Sequence, residues 1–112
     1  MASLGELERS VMTLLWDSEH PLSANEVCEQ LDEDLAVTTV LTVLARLEKK
    51  GMVLRERSSR PHRYAAVASR EEHTVEMLNE VLGTVPDREA VLARFIGSVS
   101  ESEAAALRRI LG

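Results

Sequence analysis

The sequence repeats one short signature four times, a serine followed three residues later by a glutamate. The copies lie at Ser3 and Glu6, Ser23 and Glu26, Ser69 and Glu72, and Ser100 and Glu103. In this spacing the serine hydroxyl accepts a hydrogen bond from an N–H in the first turn of a helix, and the glutamate accepts one from the serine N–H. Each copy precedes apolar residues at helical spacing. We therefore predict a mainly α-helical chain.

The net charge of −6 is distributed unevenly along the 112 residues. Residues 1–37 contain nine acidic residues and one arginine, which gives −8. Residues 38–70 contain eight Lys and Arg residues against two glutamates, which gives +6, and residues 71–112 contain eight acids and four arginines, which gives −4. Because a local field governs the docking of a polyanion more than net charge does, the middle third is the candidate nucleic-acid-binding part.

Between Thr38 and Gly51 the sequence predicts a helix with two different faces, beginning at an N-cap Thr38 and ending at a left-handed Gly51. The predicted core face contains Val40, Leu41, Leu44 and Leu47. The opposite face contains Thr39, Thr42, Arg46 and Lys49. Hydroxyl groups can form hydrogen bonds with the edges of bases, and cations can bind phosphates, so this face is suited to contact nucleic acid. The alternative is an ordinary solvent-exposed helix.

The segments on either side of this helix predict a winged helix-turn-helix over residues 1–70. Two helices precede it, at about 4–17 and 24–31, with a single short strand at Leu22. In the acidic turn 32–34, adjacent carboxylates are expected to point away from one another, which argues against a metal site. Residues 52–57 and 63–68 predict a hairpin after the helix, whose loop region carries Arg57, Arg60, His62 and Arg63.

Residues 71–112 predict three short helices, at about 71–82, 87–96 and 101–111, with a break at 97–99. Such helices are too small to enclose a core of their own, so we predict that they form a homodimerisation region. The apolar positions assigned to the dimer are Val75, Leu78, Leu82, Val91, Leu92, Phe95, Ile96, Leu107, Ile110 and Leu111. A two-fold dimer would place two reading helices about 34–36 Å apart on a palindromic operator.

Other function classes find little support in the sequence. Cys28 and the histidines His20, His62 and His73 show no nucleophile–base spacing, and we predict no enzyme, cofactor or metal site. A single cysteine is typical of the reducing cytoplasm, where Cys28 serves as a small hydrophobe or, alternatively, as a sensor. No run of 18 apolar residues is present, which predicts no membrane insertion. A winged-helix module that docks an acidic protein through the same basic face is the alternative to DNA binding.

Three segments resemble the penicillinase-repressor family, which comprises the BlaI/MecI and CopY-like transcriptional repressors. They are LGELERSVMTLLW, VTTVLTVLARLEKKGMVLRER and RPHRYAA, and the similarity extends from Leu4 to about Leu111. The resemblance implies a homodimeric winged-helix repressor that reads double-stranded DNA at a dyad operator. By position, Thr38, Thr39, Thr42 and Arg46 match the recognition helix, and Arg60, His62 and Arg63 match the wing. Lys49, Lys50 and Arg57 complete the predicted set of DNA contacts.

The resemblance also implies two routes by which repression is relieved in the family. Copper-responsive members carry a cysteine-rich metal hook near the C-terminus, whereas this chain ends SEAAALRRILG without cysteine. Members that respond to β-lactams are cleaved before a Phe once a membrane sensor-protease is triggered. Arg94–Phe95 occupies a similar place here, although the staphylococcal-type pattern has Asn before the Phe. The alternative role of Phe95 is to pack in the dimer core.

Overall fold

The computed structural model describes residues 4–31 and 33–112, and these form six helices and three short strands. The elements are α1 (Glu6–Asp17), β1 (Leu22–Ser23), α2 (Ala24–Gln30), α3 (Val37–Lys49), β2 (Val53–Glu56), β3 (Arg63–Ala66), α4 (Arg70–Leu82), α5 (Arg88–Ser98) and α6 (Glu101–Leu111). The predicted mainly helical architecture is confirmed. None of these helices is long and apolar enough to cross a bilayer.

The chain divides into two compact units, Met1–Val75 and Glu76–Gly112, and the division falls inside α4. In the first unit α1, α2 and α3 enclose a core together with an antiparallel sheet in the order β1–β3–β2. Leu22 lies opposite Tyr64, which confirms the predicted short strand, and Val53 lies opposite Ala66. The largest fully buried side chains are Met12, Leu22, Leu44, Leu47, Val11, Val27 and Val40.

Three of the four serine signatures cap helices as predicted. At Ser23 and Ser100 the hydroxyl accepts a hydrogen bond at 3.2 Å from the N–H three residues later. The glutamates at those later positions accept from the serine N–H groups at 2.9 Å and 2.8 Å. The Ser69 hydroxyl accepts from the Glu72 N–H at 3.1 Å. Each cap satisfies an N–H that the helix itself leaves unpaired.

The first helix begins later than its signature predicts. Ser3 lies outside the described residues, as does Asp32 of the acidic turn. The N-cap of α1 is Gly5, whose N–H donates to Glu8 Oε1 at 2.9 Å. The sequence signature assigns to Glu6 the hydrogen bond from the N-cap N–H at the start of α1. In the structure Glu8 accepts that bond.

The faces of α3 differ from the prediction at one position. The buried residues are Val40, Val43, Leu44 and Leu47, whereas Leu41 is 42% exposed. Assigning Leu41 to the core was wrong because successive helical residues are rotated by about 100°, and Leu41 is turned away from the side that Val43 and Leu47 share. Val43 takes the place in the core that the sequence assigned to Leu41.

The start of α3 also differs from the prediction, while its end agrees with it. Ala36 is the N-cap, in extended conformation and without a side-chain hydrogen bond, so the assignment of Thr38 as the cap was wrong. The earlier start allows Val37 to pack against the core. At the other end Gly51 has φ 77°, the predicted left-handed conformation that terminates helices at low cost for glycine.

The predicted break at 97–99 is confirmed only at its last residue, because α5 continues through Gly97 to Ser98 and has Val99 as its C-cap. Glycine inside a helix costs only about 1 kcal/mol relative to alanine, so one glycine does not end it. The chain becomes extended at Val99, next to the Ser100 cap of α6.

We expect Leu44→Ala to lower the free energy of unfolding by about 2–5 kcal/mol, because it leaves a cavity at a fully buried position. Leu41→Ala is the matched control on the same helix and should cost less than about 1.5 kcal/mol, because 42% of Leu41 is already exposed to solvent. Urea unfolding followed by circular dichroism measures both values. Equal losses would contradict the assignment of the two faces.

The caps predict a loss of stability in acid. Hydrogen bonds from the Ser23 N–H and hydroxyl, helped by the nearby Arg63 charge, lower the pKa of Glu26 below 4.5. A carboxylate with a lowered pKa in the folded state stabilises the fold above its unfolded pKa and loses that contribution as the pH falls through the folded value. We therefore expect Glu26→Gln to weaken the dependence of unfolding free energy on pH below about 4.5. Glu29→Gln is the matched control, because it removes the same charge from an exposed position on the same helix, away from the Ser23 cap.

Candidate nucleic-acid interface

The exposed face of α3 presents hydroxyls and cations to solvent. Thr39, Thr42, Arg46 and Lys49 are all exposed, as predicted, and so is Thr38 in the first turn. The Thr42 hydroxyl donates to the Thr38 carbonyl at 3.0 Å. That bond fixes the hydroxyl proton toward the helix, which leaves the oxygen lone pairs and the methyl group available to a ligand.

A groove runs beside this face, between α3 and the first turn of α1. It is lined by Gly5, Glu6, Leu7, Glu8, Thr39, Thr42, Val43 and Arg46. The first turn of α1 is not among the site residues predicted from the sequence. No periodicity connects positions so far apart in the chain, and only the packing of α1 on α3 brings them together.

Lys50 is bound to a carboxylate of α1. Its Nζ lies 2.8 Å from Glu8 Oε2 and 3.0 Å from Glu8 Oε1. The hydrogen bond from Lys50 comes first among the causes that lower the pKa of Glu8, followed by the bond from the Gly5 N–H; the Lys50 and Arg46 charges add to them. Lys50, which the sequence predicts to contact a phosphate, therefore forms an ion pair with Glu8 that joins α1 to the end of α3.

The wing, defined as β2, β3 and the connecting residues 57–62, is joined to α3 by ion pairs. Glu48 Oε1 lies 3.5 Å from Arg55 Nη2, and Glu48 Oε2 lies 3.4 Å from Arg57 Nη2. The Arg57 side chain stays 63% exposed, whereas Arg55 is 28% exposed. Arg57 therefore remains accessible to a ligand while it helps to orient the wing on α3.

The other predicted wing residues occupy different environments. Arg63, at the start of β3, donates through Nη1 to Glu26 Oε1 at 3.0 Å, so it joins the sheet to the N-terminus of α2. His62 is half-buried, and Arg60 is exposed. Among the exposed cations of α3 and the wing, Arg46, Lys49 and Arg60 make no salt bridge within the described ranges 4–31 and 33–112. These three are the cations best placed to meet an anionic partner.

Contacts around Trp16 hold the start of α4 on the first unit. Trp16 Nε1 donates to the Ala68 carbonyl at 3.0 Å, and its ring centroid lies 5.4 Å from that of the buried His73. The Arg70 guanidinium lies 5.5 Å from the Trp16 ring and 2.8 Å from Asp17 Oδ1. His73 thus packs as a structural side chain rather than facing the groove beside α3.

The remaining candidates for chemistry are separate from one another. The Cys28 thiol donates to the Leu35 carbonyl at 3.2 Å, which links α2 to the turn before α3. His20 is exposed, and its Nδ1 lies 3.2 Å from the Pro21 carbonyl oxygen. Within the described part of the chain, no three His, Cys, Asp or Glu side chains converge into a metal-binding group.

The second unit has apolar side chains but no buried residue between Glu76 and Gly112. The positions assigned to the dimer are exposed, except Leu82 and Leu107, which are half-buried. Phe95 is 57% exposed on α5, beside the exposed Arg94. Met77 on α4, which is not among the positions predicted from the sequence, is also exposed. Ile96, Leu107 and Leu111 line a groove between α5 and α6.

Solved structures with similar backbones establish the fold. A MarR family protein from Bacillus stearothermophilus matches with a TM-score of 0.54 at 23% identity, covering 98% of this chain and 71% of that protein. The complex structure of hsRosR-S4 matches with a TM-score of 0.56 at 19% identity, covering 94% and 93%. The predicted fold class, a winged helix-turn-helix domain followed by C-terminal helices, is confirmed.

Sequence comparisons identify the family. The family model described as penicillinase repressor matches residues 4–112. The transcriptional regulator BlaI of Mycobacterium tuberculosis, in strains CDC 1551 and H37Rv, is 44% identical over 116 residues, which covers 99% of this chain and 84% of the relative. The family and these relatives are regulators, which confirms the prediction that the chain is not an enzyme. The resemblance noted from the sequence is therefore also confirmed, and the chain belongs to the penicillinase repressor family.

Proposed function

We propose that this protein is a transcriptional repressor that binds a palindromic DNA operator as a homodimer and blocks a promoter. The observation that supports this most directly is the exposed face of α3. Its threonines and cations point to solvent, while the opposite face is fixed in the core by four buried side chains. A rigid helix of this kind can enter the major groove and present side chains to base edges.

The side chains of this face divide by the DNA groups that they suit. Thr39 and Thr42 offer a hydroxyl and a methyl group to base edges, and Arg46 offers a bidentate fork to guanine. Lys49 at the end of α3 and Arg60 in the wing suit phosphates, with Arg57 beside them. Thr38, in the first turn of α3, and the half-buried His62 of the wing complete the proposed set. Lys50 and Arg63 are held by carboxylates, so we assign them to orienting the helix and the wing.

Residues 71–112 support the homodimer proposal. From Glu76 onward no side chain is buried, although α4, α5 and α6 carry many large apolar residues. A unit with that composition must bury its apolar side chains against another surface. A second copy of the chain, related by two-fold symmetry, is the commonest such partner. Two copies would set two α3 helices on successive turns of DNA.

Relief of repression by proteolysis is a further part of the proposal. Arg94 and Phe95 are exposed on α5, so a protease acting on a locally opened helix could reach the bond between them. A cut there separates α6 from the winged helix and removes apolar surface from the proposed dimer. A membrane sensor-protease is the partner that would link such a cut to an external signal, and a regulator of this kind works in the cytoplasm.

We expect Arg46→Ala to weaken operator binding by about 1–3 kcal/mol, because it removes a bidentate contact to a base. The operator is first selected from genomic fragments and then titrated at fixed salt by fluorescence anisotropy. Arg109→Ala is the control, since it removes the same charge from an exposed position in α6. If the wild-type protein selects no fragment, the proposal of sequence-specific DNA binding is wrong. A module that docks acidic proteins through the same face then better explains its exposed cations.

We expect Phe95→Asp to shift the protein from dimer to monomer in sedimentation velocity, because it places a carboxylate within the apolar surface of α5. Ala93→Asp adds the same charge on the opposite side of α5, two residues or about 200° around the helix, and should remain dimeric. Circular dichroism should show the wild-type helix content for Ala93→Asp, which confirms that the control is folded. A dimeric Phe95→Asp protein would contradict the proposed interface.

A further inference from the structure

We propose that Glu8 is a positioning residue for DNA binding, which holds the Lys50 ammonium away from the phosphates and sets the spacing of α1 and α3. The inference rests on the proposed function and adds a selectivity device to it. A repressor must prefer its operator over a vast excess of other DNA, and each phosphate contact strengthens binding to any sequence. Withholding one lysine lowers binding to unrelated DNA.

The Glu8 carboxylate accepts three hydrogen bonds. Oε1 accepts from the Gly5 N–H at 2.9 Å and from Lys50 Nζ at 3.0 Å, and Oε2 accepts from Lys50 Nζ at 2.8 Å. The Glu8 side chain is only 12% exposed and that of Lys50 27%. A partly buried pair with three short hydrogen bonds is screened less by solvent than an ordinary surface pair.

The location of this pair connects it to the reading face. Gly5 is the N-cap of α1, and Lys50 is the C-cap residue of α3, so Glu8 joins the start of one helix to the end of the other. Glu8 and Arg46 line the same groove, and the Arg46 charge helps to lower the pKa of Glu8. The carboxylate therefore remains ionised at neutral pH and attracts both cations at that end of α3.

Glu6 offers a matched comparison within the same turn. It lines the same groove and carries the same charge, but it is exposed, and its carboxylate makes no hydrogen bond or salt bridge with the residues that the structure describes. An effect that depends only on the field of a carboxylate near the DNA should arise from both residues. An effect that depends on holding Lys50 should arise from Glu8 alone.

The experiment measures the salt dependence of binding to the selected operator and to random-sequence duplex DNA. The proteins are the full-length wild type, Glu8→Gln, Glu6→Gln, Lys50→Met and, as a phosphate-contact reference, Lys49→Met. Glutamine at position 8 can still accept the Gly5 N–H bond, which preserves the start of α1. Circular dichroism and thermal unfolding show whether each variant is folded. The Lys50→Met protein keeps Glu8 and its bond to the Gly5 N–H, so it tests the inference without altering the N-terminus of α1.

We expect Glu8→Gln to steepen the slope of log K against log salt by about 0.9, as one additional phosphate contact does. Between 50 and 200 mM salt its affinity for random DNA should fall about 3.5-fold more than that of the wild type. Lys50→Met should keep the wild-type slope, and Lys49→Met should flatten it by about 0.9. A purely structural role of Glu8 would lower stability without moving these slopes.

Two results would overturn the inference while leaving the proposed function intact. One is a flattening of the slope by Lys50→Met equal to that of Lys49→Met, which would make Lys50 a phosphate contact. The other is a Glu8→Gln slope no steeper than that of Glu6→Gln. Failure of the proposed function looks different, because the wild-type protein itself would then select no operator.

Discussion

Burial of one face of α3 is the constraint on which the rest of the first unit depends. Val40, Val43, Leu44 and Leu47 are buried to within a few per cent, and burying a side chain of this size stabilises the fold by about 1.5–3 kcal/mol. Rotating the helix would expose these residues and bury Thr42 or Arg46, at the cost of unpaired polar groups in the core. The core therefore fixes which residues α3 presents to solvent.

Ion pairs then determine how the basic charge around that helix is used. Glu8 holds Lys50, Glu48 holds Arg55 and Arg57, and Glu26 holds Arg63. These pairs join α1 to α3, α3 to β2, and α2 to β3. A segment with a formal charge of +6 is thereby reduced to a few exposed cations at defined places. Such an arrangement favours docking in one orientation over general attraction to any polyanion.

Local features of the structure could be predicted from the sequence, and contacts between distant residues could not. Helical spacing and the serine caps at Ser23, Ser69 and Ser100 predicted the helices, since each signal lies within a few residues. The assignment of Leu41 to the core was wrong because periodicity alone does not show which edge of an apolar face the partner helices cover. The pairing of Glu8 with Lys50 depends on tertiary packing, for which a single sequence carries no signal.

The two units differ in how far their own residues can stabilise them. The first unit has an apolar core that buries all of α3's inner face, while the second has no buried side chain from Glu76 onward. Because burial of apolar surface is the main favourable contribution to folding, stability in the second unit depends on what covers it. Under the proposed function, assembly of the dimer and order in α5 and α6 are therefore coupled. A cut near Phe95 would disrupt both, while the winged helix keeps its own core and loses only the partner that allows it to read an operator.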